Sequence, residues 1–378
     1  MPTRQPTNPE PSKPFGRLVL EALHEDFGFE HPRTQWTDHG FRYWASPIAL
    51  DFDARPPAHE DALWTFTVTL PVARPFDPTA KDRYHLIDSL NRLLNQFTTH
   101  VDGDTLTFRA HVRIGSDNVR EGLEELAYRA SFLLSIATHR VDEFLAALTT
   151  GDDAPTRIHL PHPDPKLPLD PSPILESPFH QAVLMGGLDR NPEFEPDLDT
   201  AIATLHRMAI GTIATNTAHD LGFETRGFNA VIETRDVTSL LEVMVDEPNP
   251  HVGAGLLTTL RIRFLEGHLH GEGWRLARDL NQAEHARDLP MHGSGAWTSL
   301  AEGSDVAYSA FYPNLLLHPG LATRVTLENV QRLTWLIHHF GYEALFTRDG
   351  PVNRNLVVLT DSEDDPIHAP APSRPNEA

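Results

Sequence analysis

Residues 102–114 read DGDTLTFRAHVRI, an acidic turn followed by a segment in which apolar and polar side chains alternate. From Leu106 to Ile114 every second residue is apolar, and the residues between them are Thr, Arg or His. Because successive side chains of a strand point to opposite faces of a sheet, this pattern predicts a strand with one buried face. Residues 62–70, ALWTFTVTL, alternate in the same way with threonine on the second face. The two segments predict a sheet covered on one side by helices.

Helical periodicity surrounds these strands. Apolar residues recur every three or four positions over residues 17–27, 82–97 and 119–148, which predicts three helices, the first ended by Gly28. With a further strand over Phe41–Phe52, the first part of the chain reads α-β-β-α-β-β-α. Segregated helices and a mostly antiparallel sheet favour an α+β layered fold over a doubly wound parallel one.

The second half repeats motifs of the first in the same order. Residues 26–30, DFGFE, return as DLGFE at 220–224, Leu90-Asn91 returns as Leu280-Asn281, and the turn at 102–104 returns as EGSD at 302–305. The offsets are 194, 190 and 200 residues. A near-constant offset is what a duplicated domain with small insertions would leave. The second copy is predicted to have helices over 201–221, 273–286 and 327–345, and strands over 227–234, 240–245, 256–265, 296–300 and 306–312.

Stretches rich in proline and acidic residues indicate where the predicted domains begin and end. Eight prolines lie between Thr149 and Pro178, which is typical of a stiff, extended linker. The predicted organisation is a disordered tail over 1–14, a first domain over 15–148, a linker over 149–198, a second domain over 199–360, and a disordered acidic tail over 361–378. A short apolar run at Leu356–Leu359 is a candidate edge strand.

Composition excludes several classes of function. The chain has 378 residues, enough for two domains that each bury a core, and it has no cysteine, which excludes disulfides, thiol catalysis and cysteine-based metal sites. Its 53 acidic and 31 basic residues give a formal charge of −22, which disfavours direct binding of nucleic acid and favours basic protein partners. No stretch has the length and apolarity of a membrane helix or a signal peptide, so we expect a cytoplasmic protein.

No stretch has the spacing of a known catalytic motif. Gly253-Ala254-Gly255 and Gly293-Ser294-Gly295 lack the third glycine of a dinucleotide fingerprint, and the second also lacks the frame of a nucleophile elbow, so both are interpreted as turns. His268 with His270, and His338 with His339, are the candidate metal ligands, but no third ligand accompanies either pair. We therefore predict no catalytic residue, no metal and no cofactor.

Two further groups of side chains have a structural explanation. Adjacent carboxylates should point apart and be solvated; they are Asp152-Asp153, Glu124-Glu125 and Asp364-Asp365. Most aromatic residues have core spacing, but Tyr308, Phe311 and Tyr312 place rings on both faces of one strand. If both faces are apolar, one of them covers a partner or the other copy.

The order of these motifs resembles the YbjN-like family, whose domains are similar to type III secretion chaperones. The resemblance rests on residues 26–30, 90–91, 102–104 and 106–114 in the first copy, and on 280–281, 302–305, 306–312 and 313–314 in the second. These short motifs span about two thirds of the chain. The tandem form is similar to the YbjN homologue described as a partner of the DNA-damage response protein DdrB, which binds single-stranded DNA.

The resemblance implies two tandem chaperone-like domains that bind other proteins, with a role in stress response or DNA repair. It implies no enzyme activity, and a protein partner, DdrB being the candidate. The usual homodimer of single-domain relatives is expected here as a homodimer or as a pseudo-dimer within one chain. The alternative is an enzyme or small-ligand binder whose site lies between the two domains. The sequence identifies no partner-binding residue.

Overall fold

The structure is a computed structural model. It describes residues 13–27, 29, 33–45, 48–57, 63–74, 76, 81–139, 156–160, 197–214, 220–233, 237–249, 253–264, 273–286, 294–300 and 305–340, with isolated positions 146, 164 and 166. Most of both predicted tails and of the predicted linker, the turn at 302–304, Gly28 and Leu356–Leu359 lie outside these ranges.

The first sheet is antiparallel and is built from residues 34–114. Its strands are β1 Thr34–Trp36, β2 Gly40–Trp44, β3 Ala49–Arg55, β4 Trp64–Arg74, β5 Thr98–Asp102 and β6 Thr105–Ile114. They lie in the order β1-β2-β3-β4-β6-β5, and a short strand β7, Thr156–Arg157, also pairs with β4. The helices of this part are α1 Phe15–Asp26, α2 Lys81–Leu94 and α3 Val119–His139.

The second sheet is built from residues 220–313. Its strands are β8 Asp220–Glu224, β9 Gly227–Glu233, β10 Val237–Asn249, β11 Gly253–Phe264, β12 Ala296–Ser299 and β13 Asp305–Pro313. The helices are α4 Leu198–Met208, α5 Gly273–Ala286 and α6 Pro319–Phe340; a π-helical segment, Ala209–Ala214, continues α4, and a 3₁₀ turn, Asn314–Leu316, precedes α6. The strand order is β12-β13-β11-β10-β9-β8, the same topology as in the first sheet.

The prediction of an α+β fold with two tandem sheet-plus-helix domains is confirmed. Equivalent positions share the same steric requirement: a Cβ atom on Gly40 would lie 1.7 Å from the carbonyl oxygen of Phe52, and one on Gly227 would lie 2.0 Å from that of Val243. Only glycine fits at the first residue of β2 and of β9. The structure is thus compatible with an internal duplication.

One of the three repeated motifs is not structurally equivalent in the two halves. Asp26 ends helix α1 and Phe29 is fully buried in the first core, whereas residues 220–224 form the edge strand β8. The position that matches Phe223 is Trp36, because Trp36 lies opposite Phe41 and Phe223 lies opposite Phe228. The pairing of residues 26–30 with 220–224 was therefore wrong, although the sequences are alike.

Several predicted elements have different bounds. The single strand predicted over residues 41–52 is a hairpin of β2 and β3, so four strands and not two precede α2. The helix predicted over 201–221 leaves α-helical geometry at residue 209, and α6 begins at Pro319, eight residues before the predicted start. Residues 156–157 of the predicted linker are a strand of the first sheet.

Helices cover one face of each sheet and also lie between the two sheets. In the first domain α1 contacts β2 and β3, and α3 contacts β4 and β6; in the second, α4 contacts β9 and β10, and α6 contacts β11. The remaining helices, α2 and α5, contact each other, and α2 also contacts β12 of the second sheet. Among the described residues no helix is both long and apolar enough to cross a membrane.

Candidate functional site

Helices α2 and α5 bring repeat-related aromatic side chains together. Tyr84 and Trp274 each lie six residues before the leucine of the repeated Leu-Asn pair. Their rings stack with centroids 5.7 Å apart, and the guanidinium of Arg278 lies 5.0 Å from the ring centre of Tyr84. A contact between a residue and its own repeat equivalent is the signature of a two-fold interface. The two domains therefore contact each other through equivalent helices.

The repeated asparagine holds each of these helices to an edge strand. The amide of Asn91 accepts a hydrogen bond from the Thr99 N–H at 2.7 Å and donates one to the Thr99 carbonyl at 3.2 Å. The amide of Asn281 does the same with Trp297, at 2.7 and 2.8 Å. Both asparagines are buried, and each satisfies both backbone groups of one residue. This clamp explains why Leu-Asn recurs.

Polar contacts join the domains around this pair of helices. Both carboxylate oxygens of Asp88 accept hydrogen bonds from Ser299, one from the backbone N–H at 2.8 Å and one from the hydroxyl at 2.6 Å. The Thr98 hydroxyl donates to the Gly295 carbonyl at 2.6 Å. Burial raises the pKa of Asp88, and the hydrogen bonds from Ser299 oppose that effect. The interface is therefore buried and specific rather than a loose contact.

Strand β13 also reaches into the first domain. Phe311 is fully buried, and its backbone N–H donates to the carbonyl of Asn95 at 2.8 Å. Its carbonyl accepts from Nη1 of Arg129 at 3.2 Å. Tyr308 and Tyr312 lie on the other face of β13: Arg332 of the same domain lies over the Tyr308 ring, whereas Arg129 of the first domain lies 4.8 Å from the ring centre of Tyr312. Strand β13 therefore contacts the first domain, and the prediction that one of its faces covers a partner or the other copy stays a prediction.

A buried ion pair lies in the second domain next to this strand. Arg332 on α6 donates to Glu284 on α5 through Nε at 2.7 Å and through Nη2 at 3.3 Å. Glu284 also accepts from the indole N–H of Trp297 at 2.8 Å, and the guanidinium lies 3.5 Å from the ring centre of Tyr308. Arg332 and Glu284 are almost completely buried. Such a pair is favourable only because each charge has its partners.

A second charged cluster links α3 to α6. Glu125 on α3 accepts hydrogen bonds from Nη2 of Arg324 and from the hydroxyl of Ser294. Arg129 lies 3.6 Å from the same carboxylate. Glu124 was predicted to be solvated and is partly exposed beside Arg120, but the same prediction for Glu125 was wrong, because Glu125 is buried by the second domain. Burial of this kind depends on how the copies pack and leaves no local sequence signal.

The α3–α6 contact leaves an open cleft of about 690 Å³, which we call the interdomain cleft. Arg113 at the end of β6 and Glu121 on α3 line it from the first domain. From the second domain it is lined by His318, Arg324 and Glu328. Oε1 of Glu328 is buried and has no hydrogen-bond partner. An unsatisfied carboxylate oxygen is costly, which makes this cleft the candidate site of the molecule.

Glu328 is expected to make stability depend on pH. Burial raises its pKa above the ordinary value of 4.5, although nearby arginines oppose the effect. The charged and titratable groups around it are Arg113 on β6, Glu125 on α3, Tyr312 on β13, and Arg324 and Arg332 on α6. Because the folded chain holds this proton more tightly than the unfolded chain, the contribution of Glu328 to stability falls as pH rises through the raised pKa.

We therefore expect Glu328→Gln to be more stable than the natural chain at pH 7, by about 1–3 kcal/mol. The difference should vanish below the ordinary pKa of a glutamate, where both side chains are neutral. Denaturant unfolding at several pH values measures it, with Glu124→Gln as the exposed control on α3. A difference that stays constant or grows on acidification would contradict the assignment.

A second exposed feature is the outer edge of β8, which pairs with no further strand among the described residues. Strand β8 ends the strand order, and its Phe223 side chain is 48 % exposed. The π-helical segment contacts β8 and carries Ile210, which is 54 % exposed. Asp220 and Glu224 lie at the two ends of the strand and are exposed. We call these four residues with Leu221 the β8 edge patch. Open strand edges pair readily with extended peptides.

The polar face of the first sheet forms a second groove, of about 630 Å³. Arg42 pairs with Asp51 across β2 and β3, and burial together with Asp51 raises the pKa of Asp53. Thr65 and Thr67, on the threonine-rich face opposite the one predicted to be covered by helices, are buried, and the Thr67 hydroxyl lies 2.9 Å from Nδ1 of His111. This face is thus more covered than its sequence suggested.

The glycine-rich candidates have structural roles. Gly253 and Gly255 begin β11, where a Cβ on Gly255 would lie 2.3 Å from the Tyr312 carbonyl oxygen. Gly295 is more than a turn residue. Its backbone N–H donates a hydrogen bond to the Tyr308 hydroxyl at 3.0 Å, and its carbonyl accepts the hydrogen bond from Thr98 of the first domain. Gly293, Asp152-Asp153 and Asp364-Asp365 lie outside the described residues.

The side chains of the candidate metal ligands lie outside the part of the chain that the structure describes. His268 and His270 lie outside the described residues, and His338 and His339 belong to the last turns of α6, where side chains are not described. Within the described ranges no group of three or more His, Asp or Glu side chains could hold a metal ion. The chain matches no protein-family model, no curated protein and no solved structure.

Proposed function

We propose that this protein is a non-catalytic binding module that captures an extended segment of another protein at the β8 edge patch. The observation that carries the proposal is the outer edge of β8, which in the described part of the chain pairs only with β9, beside two exposed apolar side chains, Ile210 and Phe223. A partner strand added there would complete its backbone hydrogen bonds on β8 and cover these side chains. The first sheet has no equivalent patch among the described residues, since Trp36 stands where the second has Phe223 and packs on Phe41.

The charge of the site favours a basic partner. Asp220 and Glu224 flank the exposed phenylalanine, and the chain as a whole has a formal charge of −22. Opposite charge on the partner would speed encounter and fix the direction in which the strand adds. We therefore propose an extended segment with alternating apolar residues and flanking Lys or Arg. The resemblance to YbjN-like proteins supports a role in stress response or DNA repair, with DdrB as the first candidate partner.

The pseudo-dimer supports the same proposal. Tyr84 and Trp274 occupy the surface through which the two domains pair, so that surface is already used within the chain. The β8 edge patch lies on the opposite end of the strand order from β12, which contacts α2 of the first domain. A partner at β8 would therefore leave the pairing of the two domains undisturbed.

Phe223→Asp is expected to weaken partner binding by about tenfold or more, because it removes an apolar anchor and adds a buried charge. Titration of purified DdrB, followed by calorimetry, measures the effect directly. Leu18→Asp is the matched control, since Leu18 is also half exposed but lies on α1 of the first domain. Equal affinity of natural chain and Phe223→Asp would refute docking at β8.

If DdrB does not bind, a capture from native lysate with both variants decides the broader proposal. A protein retained by the natural chain and by Leu18→Asp, but lost with Phe223→Asp, would support the β8 edge patch as the binding surface. A capture profile that is identical for all three proteins would contradict it.

A further inference from the structure

Helices α3 and α6 carry charged residues at equivalent positions, spaced four residues apart. In α3 they are Glu121, Glu125 and Arg129, and in α6 they are Arg324, Glu328 and Arg332. The offset is 203 residues, close to the 200 residues of the repeated acidic turn. Arg129 and Arg332 are both almost completely buried, and each lies over a tyrosine ring of β13. The two sets therefore correspond, and they differ in charge only at the first position.

The difference at the first position leaves one glutamate without an arginine from the opposite helix. Glu125 accepts a hydrogen bond from Arg324. In a symmetric contact, position 121 would offer the same cation to Glu328, but residue 121 is itself a glutamate. Glu328 is 4 % exposed, and its Oε1 atom has no hydrogen-bond partner among the described residues. A buried carboxylate oxygen without a donor is costly, and a bound donor would remove that cost.

The arginines next to Glu328 on its own helix are bonded elsewhere. Arg332 donates to Glu284 through Nε and Nη2, and Arg324 donates to Glu125 on α3. Burial raises the pKa of Glu328 and both arginines oppose that effect, but neither donates a hydrogen bond to Oε1. The donor that Glu328 lacks is therefore not supplied by its own helix.

The charges that line the interdomain cleft favour a cation. The charged side chains in the lining are Asp117, Glu121 and Glu328 against Arg113 and Arg324. His318 adds no charge at pH 7, because burial lowers its pKa. The positive end of a helix acts within its first turn, and Glu328 lies nine residues after the first residue of α6. The potential at Glu328 is therefore set by side chains rather than by the helix start.

The cleft also has the size and the apolar surface of a small-molecule site. Its volume of about 690 Å³ falls within the range of about 300–1,000 Å³ typical of such sites. Leu63 of the first domain and Leu327 of the second line it beside the charged groups, and Leu327 is 36 % exposed. A molecule with one cationic end and an aliphatic part matches this lining.

We propose that the interdomain cleft binds a small organic guanidinium, whose planar cation takes the place of the missing arginine on Glu328. A guanidinium matches the two oxygens of a carboxylate with parallel N–H donors, and such charge-assisted bonds are stronger than neutral ones. The aliphatic part of the molecule lies against Leu63 and Leu327. The activity is binding alone and involves no covalent step.

Isothermal titration of the full chain with butylguanidinium tests the proposal. Butylurea has nearly the same shape and also carries N–H donors, but it has no charge. The guanidinium ion has the charge but lacks the aliphatic part. We expect butylguanidinium to bind at one per chain, and both comparison compounds to bind at least about tenfold more weakly.

Two variants test the role of Glu328. Glu328→Gln removes the negative charge and should weaken the binding of butylguanidinium about tenfold, with Glu124→Gln as the control on the exposed side of α3. Glu121→Arg supplies in α3 the cation that α6 already has, so the new side chain should pair with Glu328 and abolish binding. Glu124→Arg makes the same change of charge outside the cleft and should bind like the natural chain.

Four outcomes would overturn the proposal. The first is that butylguanidinium does not bind at millimolar concentration. The second is that butylurea binds as tightly. The third is that Glu328→Gln and Glu121→Arg, shown to be folded by near-ultraviolet circular dichroism, bind like the natural chain. The fourth is tighter binding of a blocked tripeptide with a central arginine, which would assign the cleft to a protein segment. Because these variants leave the β8 edge patch intact, the result is independent of the test with Phe223→Asp.

Discussion

Arg332→Ala is expected to lower the free energy of unfolding by about 3–5 kcal/mol. The substitution removes both hydrogen bonds to Glu284 and the contact with the Tyr308 ring. It leaves the Glu284 carboxylate buried with only the indole N–H of Trp297 as a partner. An uncompensated buried charge is more damaging than the loss of the pair itself, because the carboxylate has no access to water.

Chemical denaturation followed by Trp fluorescence measures this loss. Arg120→Ala is the matched control, because Arg120 pairs with Glu124 on the surface of α3 and such pairs contribute less than about 1 kcal/mol. The double variant Arg332→Met with Glu284→Leu should recover part of the loss, since it removes both charges but leaves Trp297 without its acceptor. A double variant less stable than Arg332→Ala would show that the charges are not the source of the effect.

Phe311→Ala should destabilise the chain by about 3–5 kcal/mol, the usual cost of truncating a fully buried phenylalanine. The cavity would open in β13 at the residue whose backbone bonds Asn95 and Arg129 of the first domain. We therefore also expect the two domains to unfold in separate transitions, because their coupling is weakened.

Differential scanning calorimetry distinguishes these effects. Phe223→Ala is the control, since it makes the same change at a residue that is 48 % exposed, and should cost less than about 1 kcal/mol. A single unshifted transition for Phe311→Ala would contradict the interface described for β13.

The elements that sequence predicted well are those set by local periodicity. Residues 273–286 were predicted as a helix and form α5 with these bounds, because Leu276, Leu280 and Ala283 recur at helical spacing on one apolar face. The Leu-Asn repeat is visible in the sequence. Its role as a clamp could not be predicted, because the asparagines bond residues of β5 and β12, whose positions are known only from the structure. The alternation of apolar and polar residues also predicted strands β6 and β13. In the structure both faces of these strands are largely buried.

The candidate sites depended on packing and could not be predicted locally. Glu125 and Glu124 are neighbours in sequence, yet only Glu125 faces the second domain and becomes buried. Glu284 and Arg332 are far apart in the chain and meet only after α5 and α6 pack. The equivalence predicted between residues 26–30 and 220–224 was wrong for a related reason. The two sequences are similar, but residues 220–224 form a strand because they pair with β9.

Covalent linkage changes the behaviour of the Tyr84–Trp274 contact. In a dimer of separate chains, such a contact would be lost on dilution below the dissociation constant, and both positions would have to carry the same residue. Here one polypeptide supplies both halves, and tethering holds them at an effective concentration on the order of millimolar. The contact between the two domains therefore does not depend on the concentration of the protein. The two equivalent positions can also carry different residues, as Tyr84 and Trp274 do.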